Sequence, residues 1–302
     1  MRWRHAVIAS PADPANTGSM TNDKTILVLG GTGKTGRRVV DRLQARGEAV
    51  RVGSRTAEPS FDWEDPATWT PALGGVRAVY VSYYPDLAVP GAREAIAAFT
   101  EHALAQGVRR LVLLSGRGEV EAQLAEQALQ ASDADWTIVR CSWFNQNFSE
   151  SFFLDPVLAG EVALPAGGVP EPFVDADDIA DVAVAALTDD RHVGELYELT
   201  GPRMLTFADA VGEIGRAAGR EVTYETIPMD AFADGLAGQG VPDDIVEFMQ
   251  YLFGEVLDGR NAYVTDGVQR AIGREPRDFA DFAREAAAAG VFSASTLDAC
   301  GR

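Results

Sequence analysis

Six residues, Gly31-Thr32-Gly33-Lys34-Thr35-Gly36, satisfy G-x-G-x-x-G, and Gly30 ahead of them adds an overlapping G-x-x-G-x-x-G. A turn this rich in glycine lets backbone N–H groups approach a pyrophosphate, which then rests at the positive end of the following helix. The string is weak alone and gains meaning from a strand before it and a helix after it. About 20 residues further on, a protein that selects NAD usually presents a carboxylate to the ribose 2′-hydroxyl. This chain has Ser54 and Arg55 there. A guanidinium suits a 2′-phosphate through paired charge-assisted hydrogen bonds, and Lys34 would add a second cation, so NADP(H) is the expected cofactor. Arg37, Arg38 and Arg51 add to an arginine set around the turn.

A second chemistry is defined by what is missing. Lysine occurs only at Lys24 and Lys34, and tyrosine at Tyr80, Tyr83, Tyr84, Tyr197, Tyr224, Tyr251 and Tyr263. No tyrosine has a lysine four residues later, which excludes the usual proton-transfer dyad of short-chain reductases, where an ammonium lowers the pKa of a phenol. Tyr84 and Ser115, each at the end of an expected strand, are the remaining catalytic candidates, although a strand-end turn explains Ser115 nearly as well. Glu126 reads as part of a solvated helix face. Asp175, Asp177 and Asp178 read as acids complementing a helix N-terminus, so no metal is expected. Cys141 beside Arg140 reads as a small buried residue.

The elements that would position these groups alternate in type. Thr25 to Gly30 (TILVLG) is a continuous β-branched and apolar run, as for a parallel strand buried on both faces. The segment after the glycine turn places Val39, Val40 and Leu43 on one helical stripe, with Gly47 as its stop. Strands are expected at Ala49 to Arg55, Arg77 to Tyr83, Arg109 to Ser115 and Trp136 to Trp143, with helices around Gly91 to Gln106 and Glu119 to Ala131. This alternation predicts an α/β fold, a Rossmann-type doubly wound parallel sheet. Later, Pro172 to Leu187 reads as a short strand followed by an acid-capped helix, Glu195 to Gly201 as a strand, Leu205 to Gly219 as a helix capped by Thr206, and Glu221 to Ile227 as extended. Helices at Asp230 to Leu236, Asp243 to Leu257 and Asp278 to Ala289 then form a smaller, mostly helical C-terminal substrate lobe. The expected organisation is a disordered extension over 1–23, a cofactor domain over 24–160 to which strands from 172–200 return, and a lobe drawn mainly from 161–302.

Composition narrows the partners. A net charge of -19 over 302 residues repels nucleic acid and anionic membrane. No apolar run reaches the ~18 residues of a membrane span. Two cysteines, Cys141 and Cys300, cannot build a disulfide framework and fit a reducing cytoplasm. At the carboxyl ends of the strands, where open α/β sheets bind ligands, aromatic residues gather: Tyr83 and Tyr84, then Trp143, Phe144, Phe148, Phe152 and Phe153 with Asn147 among them. Met249 and Phe253 on a late helix would close this pocket, and Arg117 would join it. A flat, hydrophobic small molecule is the expected substrate, taken by a monomer or homodimer.

GGTGKTG, VLLSG, DWTIVRCSWFNQNF and PFVDADDIADVAVAAL together resemble the NmrA-like atypical short-chain dehydrogenase/reductase family. Within it, FDWEDPATW and PDLAVPG resemble the festuclavine/agroclavine dehydrogenase branch. The resemblance spans roughly residues 25–292. It implies an NADP-binding Rossmann domain with cofactor contacts from Gly30, Thr32, Gly33, Lys34, Thr35 and Gly36, from Ser54 and Arg55, and from Asp62-Trp63, placed after a third strand, at the adenine. Further contacts would come from Ser82, Tyr83, Ser115, Gly116 and Cys141. Two functions fit: an NADPH-dependent reductase of an iminium or quinone-like electrophile, and a non-catalytic NADP-binding sensor that engages a partner protein. An aromatic pocket at the nicotinamide end favours the reductase, in which position replaces a strong proton donor.

Overall fold

The structure is a computed structural model that describes residues 25–293. The extension expected over 1–23 lies outside them. Strands β1 (Thr25–Leu29), β2 (Ala49–Gly53), β3 (Val76–Val81), β4 (Arg110–Gly116), β5 (Asp135–Cys141) and β7 (Glu195–Leu199) form one sheet in the order β2-β1-β3-β4-β5-β7, and β6 (Glu161–Leu164) pairs with β8 (Thr223–Thr226) in a second. Every pairing is parallel. β1 and β3 are almost wholly buried, which explains their unbroken apolar runs: in a parallel sheet both faces are covered.

Helices α1 (Lys34–Ala45), α2 (Trp69–Leu73), α3 (Ala92–Ala105), α4 (Val120–Gln130), α5 (Leu154–Ala159) and α6 (Ala176–Thr188) follow in order. α1 and α6 cover one face, where Val39, Val40 and Leu43 meet Ile179, Ala183 and Leu187. α2, α3 and α4 cover the other, with Trp69, Ile96, Phe99 and Leu129 packed against Leu27, Val79 and Leu113. The remaining helices α7 (Phe207–Ala218), α8 (Met229–Gly238), α9 (Asp243–Tyr251), α10 (Gly267–Ile272) and α11 (Phe279–Ala288) lie C-terminal. Most of them enclose a third core around Phe148, Phe153, Phe173, Phe207 and Phe253, where fully burying each phenylalanine contributes roughly 1.5–3 kcal/mol. α10 instead packs Val268 and Ala271 against the sheet.

Two expectations change. Asp62-Trp63 follows the second strand, not a third: the chain between β2 and β3 stays a loop at this point because Phe61 and Trp63 turn inward onto Trp69 and Phe99. Pro172 to Val174 is not a strand either; single bridges, Glu171 to Leu205 and Phe144 to Val174, join it to its neighbours. The strand β6 carried too short an apolar run, VAL, to stand out in the sequence.

Candidate active site

The glycine turn lies between β1 and α1. The Gly30 N–H donates to the Gly53 carbonyl at 3.1 Å, and the Gly33 N–H donates to the Gly30 carbonyl at 2.8 Å. Gly30 takes a left-handed φ of 64°, which favours glycine. A Cβ on Gly36 would overlap the Gly30 carbonyl, so α1 starts directly against the turn. Gly33 caps α1 without a side chain, and no acid lies in the first turn. The first N–H groups of this 12-residue helix therefore have no side-chain acceptor, while Gly30, Thr32 and Gly33 are exposed. That arrangement fits a pyrophosphate. Thr35 is buried and accepts a 3.0 Å hydrogen bond from the Tyr80 hydroxyl, which fastens the turn to β3.

Beyond β2, Arg55 is exposed and lies over the Tyr84 ring at 5.8 Å, with no carboxylate paired to it among the described residues. Ser54 approaches Thr56 at 3.3 Å. Trp63 donates its indole N–H to the Ser82 carbonyl at 3.2 Å and packs 5.0 Å from the Tyr83 ring. The Asp62 carboxylate accepts from the Glu64 N–H at 3.1 Å. Ser82 stands beside Gly30, 3.3 Å from where a Cβ would lie. Asp62, Trp63, Ser82 and Tyr83 thus gather at one end of the glycine turn.

The expected arginine set does not gather. Arg37 and Arg38 pair with Glu150, and Arg38 also with Asp177 at 3.4 Å. Arg51 donates to the Ala72 and Gly74 carbonyls at 2.6 and 2.8 Å. The Lys34 ammonium turns to Asn147, donating to its side-chain oxygen at 2.9 Å, and burial holds its pKa below the usual lysine value. Because Asn147 follows β5, on the opposite side of β1 from β2, Lys34 does not join Arg55 as a second cation at one phosphate.

At the end of β4, Ser115 is buried and donates to Glu126 at 2.6 Å. Its hydroxyl is therefore engaged inside the protein instead of facing a ligand. Glu126 is a buried partner of Arg140, not part of a solvated face. Arg117 is also buried and leaves the expected pocket: it donates to Glu198 at 2.7 Å, to Ser142 at 2.9 Å and to the Asn261 and Tyr263 carbonyls, with the Tyr263 ring 4.4 Å away. This guanidinium clamps the C-terminal segment to the sheet. Cys141 is buried against the sheet core, and burial pushes its thiol well up. The three acids at α6 diverge. Asp175 caps the helix through the Asp177 N–H at 2.7 Å, Asp177 pairs with Arg42 at 2.6 Å, and Asp178 pairs with Arg274 at 2.6 Å.

The aromatic cluster divides into a wall and its backing. Phe148, Met249 and Phe253 are buried in the lobe core, so they support the pocket instead of lining it. Trp143, half-buried, packs on them 5.3 Å from Phe207 and 5.1 Å from Phe253. Phe144 is half-buried against the sheet, Phe152 is 46% exposed and Tyr84 69% exposed. Three acids of this region escaped sequence reasoning: Asp86, Glu119 and Glu171. Only Gly116 signalled one of them, since a missing side chain at a strand end admits another group.

The parallel sheet and its unshielded glycine turn define a Rossmann-type dinucleotide-binding protein. The chain belongs to the NmrA-like family, which it matches over residues 114–283, and residues 30–190 match an NAD(P)H-binding family. It is an NAD(P)H-binding oxidoreductase. It is 32% identical to the NAD(P)H azoreductase of Xenophilus azovorans, over 87% of this chain and 98% of that protein. It is 30% identical to the agroclavine dehydrogenase of Claviceps fusiformis, over 85% and 96% respectively. Among solved structures, triphenylmethane reductase of Citrobacter sp. superimposes with a TM-score of 0.72 at 18% identity, covering 87% of this chain and 99% of the other.

Proposed function

We propose that the protein is an NADPH-dependent reductase of a flat, hydrophobic electrophile of iminium or quinone-like type. The observation that carries this reading is the set of partly open aromatic side chains after β5, Trp143, Phe144 and Phe152, at the edge of the sheet that also carries the glycine turn. When bound, the reduced nicotinamide supplies hydride. The residues bind and orient: α1 and the glycine turn take the pyrophosphate, Lys34 and Asn147 flank it, and Asp62, Trp63, Ser82 and Tyr83 form the adenine side. Arg55, paired with no carboxylate among the described residues, takes the 2′-phosphate and favours NADPH over NADH. Gly116 and Cys141 bound the nicotinamide end, and the wall excludes water from it.

An iminium becomes a neutral amine on receiving hydride, and a quinone becomes an aromatic phenolate that solvent protonates, so neither needs a tyrosine–lysine dyad. Placement of the two reacting carbons then supplies the main rate advantage. The cofactor domain comprises residues 24–160 together with the returning strand β7, and the lobe holds the substrate. A reducing cytoplasm and a monomer or homodimer suit the chain. The test is fluorescence titration of NADPH and NADH followed by NADPH oxidation with iminium salts, quinones and enones. Tight NADPH binding without turnover on any class would replace the reductase by a nucleotide-sensing regulator.

A further inference from the structure

The loop after β4 folds Glu119 back onto its own strand end. Gly116 has no side chain, and the place of its Cβ is taken by the Glu119 carboxyl, whose carbon and both oxygens would overlap any substituent there. Gly116 pairs with Cys141 at the carboxyl edge of the sheet, one strand from β3. The Glu119 carboxyl accepts no hydrogen bond among the described residues and is only partly open to solvent. Asp86, in the loop after β3, lies within electrostatic reach, its Oδ1 accepting from the Ala88 N–H at 2.9 Å. The other titratable groups facing Glu119 are Glu126 on α4, Cys141 on β5 and Tyr251 on α9, whose hydroxyl accepts from the Val120 N–H at 3.4 Å. The nearby cations are committed elsewhere, Arg117 to Glu198 and Arg260 to Asp258 and the Gly118 carbonyl. Burial, together with the negative charges of Asp86 and Glu126, raises the Glu119 carboxyl well above its usual range, and burial raises that of Asp86.

We propose that the Asp86–Glu119 pair protonates the anion left by hydride addition to a neutral acceptor, extending the site to conjugated enones. The role rests on the reductase reading. In balance, the nicotinamide C4–H bond breaks with its electron pair and a C–H bond forms at the enone β-carbon. The alkene π pair shifts into an enolate, which takes the proton of the pair and leaves a saturated ketone. The pair recovers a proton from solvent. An iminium cation takes hydride and needs no such proton.

NADPH oxidation by wild type, Glu119→Gln and Asp86→Asn is compared with 4-phenyl-3-buten-2-one and with an N-methyl-3,4-dihydroisoquinolinium salt. Glu119→Gln is expected to lower kcat for the enone about 100-fold, Asp86→Asn to shift the alkaline limb of its pH profile, and both to leave NADPH affinity and the iminium rate within about twofold. Equal losses on the two substrates mean a structural role and overturn the assignment, as does enone turnover that Glu119→Gln leaves intact. Wild type that oxidises NADPH with the iminium but not the enone overturns it too. Wild type inactive with both overturns the reductase reading itself.

Discussion

Lys34 and Asn147, 113 positions apart in the chain, meet in a 2.9 Å hydrogen bond in which the ammonium donates to the side-chain carbonyl. The bond joins the glycine turn to the loop after β5, and Glu150 of that loop holds Arg37 and Arg38 of α1. Replacing Asn147 with alanine removes the partner that orients the ammonium at the helix N-terminus. NADPH and NADH should both bind about fivefold more weakly, the cost of one hydrogen bond, as read by nucleotide fluorescence. Unchanged affinity would show that the bond serves only the loop.

Arg55→Asp addresses the other end of the cleft. Among the described residues its guanidinium has no carboxylate to lose and meets only the face of the exposed Tyr84 ring, so the substitution acts mainly on the ligand. The NADPH dissociation constant should rise roughly 100-fold more than that of NADH, as expected when a charge-assisted contact is replaced by repulsion. Equal losses for the two nucleotides would remove Arg55 from the 2′-phosphate.

A methyl on Gly36 collides with the Gly30 carbonyl, which is backbone and cannot swing aside. Gly36→Ala must displace α1 from the turn. A loss of about 1–3 kcal/mol in stability, measured by urea unfolding, should accompany loss of nucleotide binding. Nucleotide affinity equal to that of wild type would contradict the close approach.

Ser115 tests a different assignment. Since its hydroxyl donates to buried Glu126, Ser115→Ala should cost about 1–3 kcal/mol of stability while kcat/KM stays within about twofold. A large fall in kcat/KM at unchanged stability would return the hydroxyl to the substrate.

Glu171 is wholly buried, and neither carboxylate oxygen has a hydrogen-bond partner among the described residues. Burial pushes its pKa from 4.5 up to about 7. A carboxyl that holds its proton more tightly when folded favours folding at low pH, and this contribution is lost as pH rises from about 4.5 to 7. Glu171→Gln, which mimics the protonated form, should match wild type near pH 4.5 and be more stable by about 3 kcal/mol at pH 8. Thermal unfolding at the two pH values checks this; a constant difference would refute the buried titration.

The sheet and the glycine turn were legible because their signals are local: an apolar run, a glycine spacing, a stripe on α1. The same holds for the Thr206 and Asp175 caps, where a side chain satisfies an N–H two or three residues away. The candidate site was less legible. Residue type placed Arg51 and Lys34 near the cofactor, but side-chain length lets each reach elsewhere, to the carbonyls of Ala72 and Gly74 and to Asn147. Ser115 and Glu126 are 11 positions apart and meet because α4 packs back onto β4. Aromatic residues are counted equally by the sequence, whereas Phe148 is core and Phe152 is open. Such differences arise from long-range packing, which periodicity does not encode.

The strand β7 pairs with β5 only after the chain has passed through β6 and α6, and Phe144 meets Val174 across the same excursion. The polypeptide thus enters and leaves each half more than once. No single cut divides it into two self-sufficient pieces: a fragment ending at residue 160 would expose the β5 edge and strip α1 of its α6 partner. On the proposed reading, transplanting substrate preference from a relative requires exchanging several discontinuous segments together, including 143–153 and 229–257, on a retained nucleotide-binding frame.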